Sequence, residues 1–449
     1  MKAEAILRYA DGQVPRYTSY PTSPHFSPAV DERLYRQWLG AVSPDTDLSL
    51  YLHVPFCRSM CWYCACHTTV ATRAAPISRY VTALRREIAL VAEALPGPMA
   101  VGHVHFGGGS PTLIAPAEFE GLMDLMKSRF RFRQDAEIAL EIDPRTLDAT
   151  MTASLARGGI NRASIGVQCF DPTVQRAINR VQSFETTAAA VTGLRASGIA
   201  AINFDLIYGL PGQTAAACLD TVAKSISLAP DRIAIFGYAH VPGFKAHQRK
   251  IDEAMLPDGP ARLDQARIMA EALIEAGYVQ IGLDHFARPG DRLAVAAESG
   301  TLHRNFQGYT TDACQALIGL GASSIGRLEC GYVQNVVPIP DYLKQVAAGR
   351  LPVQRGYELS ADDRLRAAVI ERLMCDHEVD LAEVCAPFGA DPTELAALPG
   401  LEPLAEDGLI ERDGLRIRVT DDGRPLVRSV AAAFDAYLEA GSARHSRAA

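Results

Sequence analysis

The segment LSLYLHV at 48–54, ended by Pro55 and followed by FCRSMCWYCACH at 56–67, decides how the rest of the chain is read. Its apolar and aromatic residues predict a β-strand that stops at the proline. Four cysteines then fall close together, Cys57, Cys61, Cys64 and Cys66, in the spacing C-x3-C-x2-C-x-C. A structural zinc site usually draws on two cysteine pairs about a dozen or more residues apart, so that four thiolates can close a tetrahedron. Here all four sit in one loop, with no second pair nearby. A C-x3-C-x2-C run better suits three corners of a cubane iron–sulfur cluster, held by thiolates, whose fourth iron stays open. Disulfides among these residues would require an oxidising compartment. Cys169, Cys218, Cys314, Cys330, Cys375 and Cys385 are scattered, and read as small buried hydrophobes.

Outward from this loop the chain alternates. Strands are predicted at 102–106, 137–142, 162–168, 202–209 and 232–238. Helices are predicted at about 76–95, 116–130, 147–157, 171–178, 184–197, 214–227 and 260–276. Serial βα units with short apolar strands imply an α/β fold with a parallel sheet, favouring a full or partial (β/α) barrel. Periodicity alone leaves a doubly wound sheet open. The cysteine loop then lies at the C-terminal end of the first strand, where such enzymes place their chemistry.

Three segments are expected: an N-terminal segment at 1–45, mostly polar but with Tyr17, Tyr20 and Phe26; a barrel at 46–350; and a smaller helical domain at 351–449. In the last, a helical stretch is followed by strand–turn–strand and a helix, a winged-helix-like pattern, with Asp413-Gly414 and Asp422-Gly423 as turns. Its many Asp and Glu residues and lack of a basic stripe argue against DNA binding.

The 449 residues carry 44 basic and 52 acidic side chains, a net charge of −8. Nucleic-acid or anionic-membrane binding driven by overall charge is not expected, though a local basic pocket is compatible with it. No apolar run reaches the length of a membrane span and the first residues lack a signal-peptide core, so a cytoplasmic location is expected.

Other residues stand out by position. Gly107-Gly108-Gly109-Ser110 follows the second strand, where glycines allow close backbone approach and present N–H groups; a mere tight turn is the plainer alternative. Glu141, Asp143, Gln168 and Asp205 are polar groups in or just after apolar strands, so each needs a partner or faces the barrel mouth. His103 and His105 share one strand face and read as packing. Arg180 could fork onto a carboxylate, although its local sequence favours the surface.

Taken together, PRYTSYPT, HVPFCRSMCWYCAC, HFGGGSPT, LEIDPR, NRASIGVQCF, FDLIYGLPGQT, GYAHVP, DHFARP and HRNFQGYTT resemble the blocks of the oxygen-independent coproporphyrinogen III oxidases, a radical S-adenosylmethionine family. The likeness runs from about residue 15 to 440. Related haem-transfer proteins share the cysteine motif and the glycine turn but generally lack RYTSYPT and NFQGYTT. The resemblance implies a barrel of radical-S-adenosylmethionine type with a small C-terminal domain, and a [4Fe–4S] cluster on Cys57, Cys61 and Cys64. S-adenosylmethionine would chelate the open iron, and one electron would cleave it to a 5′-deoxyadenosyl radical. Hydrogen abstraction from a propionate β-carbon, loss of carbon dioxide and loss of an electron would leave a vinyl group. Two such events convert coproporphyrinogen III to protoporphyrinogen IX.

By the same resemblance Tyr51, Gly108, Glu141 and Ile325 would contact the cluster-bound S-adenosylmethionine. A second S-adenosylmethionine would meet Tyr63, Gly109, Ser110, Gln168, Arg180, Asp205 and Ala239. Phe306 and Gln307 would lie near substrate or second cofactor, and Tyr51, Glu141, Phe306 and Gln307 are the residues expected at the chemistry. Cys66 is not expected to bind iron. A flavodoxin- or ferredoxin-type donor and a monomeric state are expected. Two positions depart from the family pattern. Ala65 replaces a usual Gly, which would cost about 1 kcal/mol if positive φ were needed there, and Ser110 replaces a frequent Thr while keeping the hydroxyl. A haem carrier on the same barrel and a zinc-stabilised interaction protein are the competing readings.

Overall fold

The computed structural model describes residues 8, 9 and 12–438; the outer ends of the N- and C-terminal segments read from sequence lie outside the described residues. After helix α1 (Glu32–Gly40), strands and helices alternate: β1 (Asp47–Val54), α2 (Ala74–Ala94), β2 (Ala100–Gly108), α3 (Pro116–Arg129), β3 (Arg131–Ile142), α4 (Ala149–Gly158) and β4 (Arg162–Gln168). Then follow α5 (Pro172–Ala177), α6 (Phe184–Ala196), β5 (Ala201–Tyr208), α7 (Ala215–Ser227), β6 (Arg232–Gly237) and α8 (Gly259–Glu275). Side chains written into the loops start these helices. Asp148, Ser183, Thr214 and Asp258 each accept a backbone N–H of the first turn of α4, α6, α7 and α8, satisfying donors that a helix leaves unpaired.

Six further strands complete the sheet: β7 (Val279–Ile281), β8 (His285–Ala287), β9 (Ala316–Leu320), β10 (Ile325–Leu328), β11 (Gly331–Asn335) and β12 (Val353–Glu358). Their order is β12-β11-β10-β9-β1-β2-β3-β4-β5-β6-β8-β7. From β9 through β6 every neighbour is parallel. A doubly wound sheet reverses its strand order at a switch point. β1 to β6 instead lie side by side in chain order, and the terminal strands β12 and β7 do not pair, so the molecule is a partial barrel. The antiparallel extension β10–β12 escapes sequence reading because glycines at 319, 326 and 331 interrupt short apolar runs.

The N-terminal segment is less polar in place than in composition. α1 buries Tyr35, Trp38 and Leu39, and Ser27 bridges Gly356 on β12. Tyr17 and Tyr20 enter the same apolar cluster as Leu373 and Phe434 near the C-terminus. There, α10 (Ala361–Asp376) follows α9 (Ile339–Ala347), and a three-stranded antiparallel sheet, Glu378–Asp380, Arg416–Val419 and Ile410–Asp413, packs with short helices. Among the described residues no helix is long and apolar enough to cross a membrane.

One buried carboxylate ties α2 to the chain at the ends of β9 and β11. Glu87 of α2 is 1% exposed. It accepts the Gly321 N–H at 2.7 Å, the Tyr342 hydroxyl at 2.7 Å and Asn335 Nδ2 at 2.6 Å. Burial pushes it from the ordinary 4.5 to about 7 despite those donors. The folded state therefore holds this proton more tightly than the unfolded chain, so its contribution is full below about pH 4.5 and falls as pH rises toward 7. Glu87→Gln cannot accept from all three donors without turning an NH₂ toward one of them. It is expected to destabilise by about 1–3 kcal/mol and to flatten the fall in urea midpoint between pH 5 and 7; an unchanged slope would exclude Glu87 as its source.

Candidate functional site

β1 places Tyr51 and His53 on one face, because successive strand residues alternate. His53 Nε2 lies 2.9 Å from the His67 carbonyl, which can only accept, so Nε2 carries the proton. Burial holds His53 below its ordinary range, keeping the ring neutral. Nδ1 therefore accepts the Tyr51 hydroxyl at 2.9 Å. Beyond Pro55 the chain forms a two-residue strand, Phe56–Cys57, paired in parallel with Thr69–Val70, and the Thr68 hydroxyl donates to Cys57 Sγ at 3.2 Å.

The glycine turn is welded to this loop. Gly109 N–H donates to Val54 O at 2.9 Å and Ser110 N–H to Phe56 O at 2.7 Å. Gly108 has φ +111°, and a Cβ there would stand 2.5 Å from the His53 ring. On Gly109 it would meet Phe56 O at 2.4 Å, and on Gly107 the Glu141 carboxylate at 2.9 Å. The glycines thus serve close packing against β1 and the cysteine loop, more than a tight turn requires. Glu141 accepts the Gly108 N–H at 3.0 Å and stands 3.3 Å from His105 Nε2. Burial works to raise its pKa, but the His105 and Gly108 bonds leave it below the ordinary value. His105, read from sequence as packing, also stacks on Tyr51 with centroids 5.9 Å apart. It belongs to the site.

Cys61 is buried beneath two guanidinium groups, Arg145 Nη2 and Arg180 Nη1, each 3.6 Å from its sulfur. Asp143 balances them, 2.6 Å from Arg145 and 3.6 Å from Arg180. The surface reading of Arg180 is overturned, since it is 7% exposed. Asn179 takes φ +54° at the end of α5 and its amide holds the Met60 carbonyl, which turns the next residue inward. Arg180 Nη2 donates to Gly166 O at 2.6 Å, while its Nε is buried without a hydrogen-bond partner. Gln168, at φ +67°, lies over the same glycine: a Cβ on Gly166 would be 2.8 Å from its amide. Asp205 accepts the Ser164 hydroxyl at 2.7 Å and Asn203 Nδ2 at 3.0 Å, and burial raises its pKa.

The loop after β6 clamps the cysteine loop from outside, which no sequence spacing signals. Lys245 Nζ donates to Cys66 O at 3.0 Å and His247 Nε2 to Cys64 O at 2.6 Å. Gln248 Nε2 bridges the carbonyls of Tyr63, at 2.9 Å, and Ala239, at 3.2 Å. Ile325 approaches from the other side of β1: Tyr51 is in register with Gly319, whose Cβ would stand 2.7 Å from the Ile325 carbonyl carbon. Ala65 has no positive φ, so the conditional strain of its Cβ does not arise. Phe306 and Gln307 form the turn between His303–Asn305 and Gly308–Thr310. Phe306 lines a cavity of about 290 Å³ with Tyr17–Tyr20, Arg304, Arg327 and Glu371, and Gln307 does not line it.

The donor set fits a thiolate-held cluster. Cys57, Cys61 and Cys64 lie near enough for charge on the latter two to push the first up, after burial. A hydrogen bond from Cys66, then Lys245 and Arg180, bring Cys64 down to about 7. Among the described residues no three His, Cys, Asp or Glu side chains gather around a single metal ion; thiolates on separate irons of one cluster need not converge on one point. The scattered cysteines are free, and burial raises Cys218 and Cys314 to about 12.

Residues 51–224 match the Radical SAM superfamily and residues 359–426 the HemN C-terminal domain. A Bradyrhizobium diazoefficiens protein named oxygen-independent coproporphyrinogen III oxidase is 58% identical over 449 residues, covering all of both chains. One of the same name from Paracoccus denitrificans is 44% identical, over 98% of this chain and 97% of its own. The structure of coproporphyrinogen III oxidase (HemN) from Escherichia coli, described as a radical SAM enzyme, superposes with TM-score 0.90 at 39% identity, covering 95% of this chain and 100% of that one.

Proposed function

Since the chain belongs to the oxygen-independent coproporphyrinogen III oxidase family, a group of radical S-adenosylmethionine enzymes, we propose that Cys57, Cys61 and Cys64 carry its [4Fe–4S] cluster and that the groups around the glycine turn hold S-adenosylmethionine. The protein is an oxidoreductase of haem biosynthesis that oxidatively decarboxylates propionate side chains of coproporphyrinogen III. What supports the assignment of residues is the docking of the glycine turn onto the cysteine loop, which brings the cysteine thiols, a closely packed glycine backbone and the Glu141 carboxylate to one mouth.

When bound, the cluster and S-adenosylmethionine supply the hydrogen-atom abstraction that starts decarboxylation, chemistry that belongs to the cofactors. The chain's own part is placement and shielding. Arg145 and Arg180 direct N–H groups at the Cys61 sulfur, each at 3.6 Å, and so fix its position. Tyr51, fixed by neutral His53, and Ile325 form one wall, and Glu141 is an acceptor for a cationic amine. Arg180 Nε, lacking a protein partner, is a donor for a carboxylate. With Tyr63, Gly109, Ser110, Gln168, Asp205 and Ala239 it is assigned to a second S-adenosylmethionine. Phe306 and Gln307 are the candidates facing the porphyrinogen. Reducing equivalents come from a flavodoxin- or ferredoxin-type donor, and the enzyme works as a cytoplasmic monomer.

The test is anaerobic turnover after reconstitution with iron and sulfide, supplied with coproporphyrinogen III, S-adenosylmethionine, a reductant and an extract providing the electron acceptor. The monovinyl intermediate and protoporphyrinogen IX are expected by chromatography after oxidation. Stoichiometric haem binding with cluster and S-adenosylmethionine cleavage intact but no vinyl product would replace the oxidase reading by a carrier.

A further inference from the structure

The proposed site accounts for the cofactors but leaves the substrate's charge without a partner. Coproporphyrinogen III carries four propionates, so it enters as a polyanion and must meet cations somewhere in this acidic protein. The cavity lined by Phe306 lies between four parts of the chain: the N-terminal segment Tyr17–Tyr20, the hairpin around Phe306, the strands β9–β11 with the chain leading into them through Asp312, Arg327 and Tyr332, and α10 through Ala367, Ile370 and Glu371. Arg304 lines it too. Its guanidinium lies 4.4 Å from the Tyr309 ring centre and Nη2 donates to Arg16 O at 3.3 Å. The remaining nitrogens, Nε and Nη1, are buried and have no hydrogen-bond partner.

A second guanidinium converges on the same short stretch of backbone. Arg428 Nε donates to Pro15 O at 3.0 Å, and its Nη2 to Val14 O. Arg428 is brought down to about 10, first by burial and then by the positive charges of Arg16 and Arg304, which places the three cations within range of one another. Of the carboxylates in this region, Asp284 is bonded to His285 at 2.7 Å and its charge is also met by Arg304 and Arg16, Asp312 lines the cavity and accepts the Ser49 hydroxyl, and Glu371 accepts from the backbone N–H of Arg304 at 3.3 Å while lying 3.2 Å from His303 Nδ1. Glu371 thus anchors the hairpin backbone to α10 and so fixes where the arginine starts. A guanidinium with two nitrogens that lack a hydrogen-bond partner is costly unless a ligand completes it, and its planar fork matches a carboxylate.

We propose that Arg304, backed by the charges of Arg16 and Arg428, binds a propionate carboxylate of the substrate. This subsite rests on the oxidase reading and deepens it. It gives the N-terminal segment and the C-terminal region a shared purpose: together they frame the cation that selects a porphyrinogen bearing carboxylates over one without them.

The experiment uses full-length, cluster-reconstituted protein. Fluorescence titration with coproporphyrin III, the stable oxidised form of the substrate skeleton, is compared with titration by its tetramethyl ester. Wild type is expected to bind the acid at least about 10-fold more tightly than the ester, with the preference falling as salt rises. Arg304→Gln is expected to shrink that preference and to raise KM for coproporphyrinogen III about 10-fold or more, with the cluster absorbance and thermal midpoint of wild type. Arg304→Lys, which keeps the charge but not the fork, should fall between. A folded Arg304→Gln variant with unchanged KM and acid preference overturns the subsite while leaving the oxidase reading intact. If Arg304→Gln does not fold, equal binding of acid and ester by wild type overturns it equally. A wild type that makes no vinyl product removes the reading on which the subsite rests.

Discussion

Cys61→Ala is expected to abolish cluster binding and turnover, whereas Cys66→Ala should retain the cluster. In the folded protein Cys61 is the buried thiol of the loop, and both guanidinium groups above the motif aim at its sulfur. Removing the sulfur deletes a thiolate ligand outright. It also leaves Arg145 and Arg180 sharing Asp143 alone, with one of the two at 3.6 Å, so a partly uncompensated buried charge is added to the lost ligand. The broad charge-transfer absorbance of the reconstituted cluster should fall to the level of unreconstituted protein. Cys66 is exposed, its backbone carbonyl is held by Lys245, and its thiol serves as a donor to Cys64. Truncating it removes that donor, so Cys64 should bind iron less readily at low pH without losing its place. Iron per chain separates the outcomes. Equal iron loss in both variants would mean that four cysteines, not three, hold the metal.

The contrast between these two neighbours shows what the amino-acid pattern can and cannot carry. The spacing of the cysteines and the βα alternation are local periodicities, and β1 to β6 appear where the apolar runs predict them. Glu141, Gln168 and Asp205 stood out because a polar group in or at the end of an apolar strand has to be satisfied somewhere. Arg180 was not legible as buried. Its inward course depends on the left-handed Asn179 and on a carboxylate at the end of the preceding strand β3, Asp143. His105 has the same history, being ordinary until Tyr51 and Glu141 of adjacent strands are set beside it. The clamp of Lys245, His247 and Gln248 consists of side chains bonding backbone carbonyls. Carbonyls are present in every residue, so no motif marks such an acceptor. The place of the N-terminal aromatics was not legible for a related reason: Tyr17 and Tyr20 complete a core whose other half lies beyond residue 360.

Gly109→Ala should cost nearly as much activity as losing a ligand, although a single methyl group is all that is added. The new Cβ would lie 2.4 Å from Phe56 O and 2.8 Å from the Phe56 carbonyl carbon and nitrogen. Those are backbone atoms with no rotamer to yield, so one strand must move. The movement opens the bonds from Gly109 N–H to Val54 O and from Ser110 N–H to Phe56 O, which are what register the glycine turn against Cys57. Overpacking of this kind costs about 1–3 kcal/mol, and a displacement of about 1 Å between reacting groups lowers turnover about 100-fold. Activity should therefore fall much further than stability does. Gly193→Ala is the control, because its Cβ meets nothing within 4 Å on the helical α6, and alanine there should be neutral or stabilise by about 0.4–1 kcal/mol. Anaerobic kcat beside the thermal midpoint of both variants decides the matter. If Gly109→Ala lost stability and activity in proportion, with no excess loss of turnover, the turn would be a structural brace and its alignment with the cysteine loop would not set the rate.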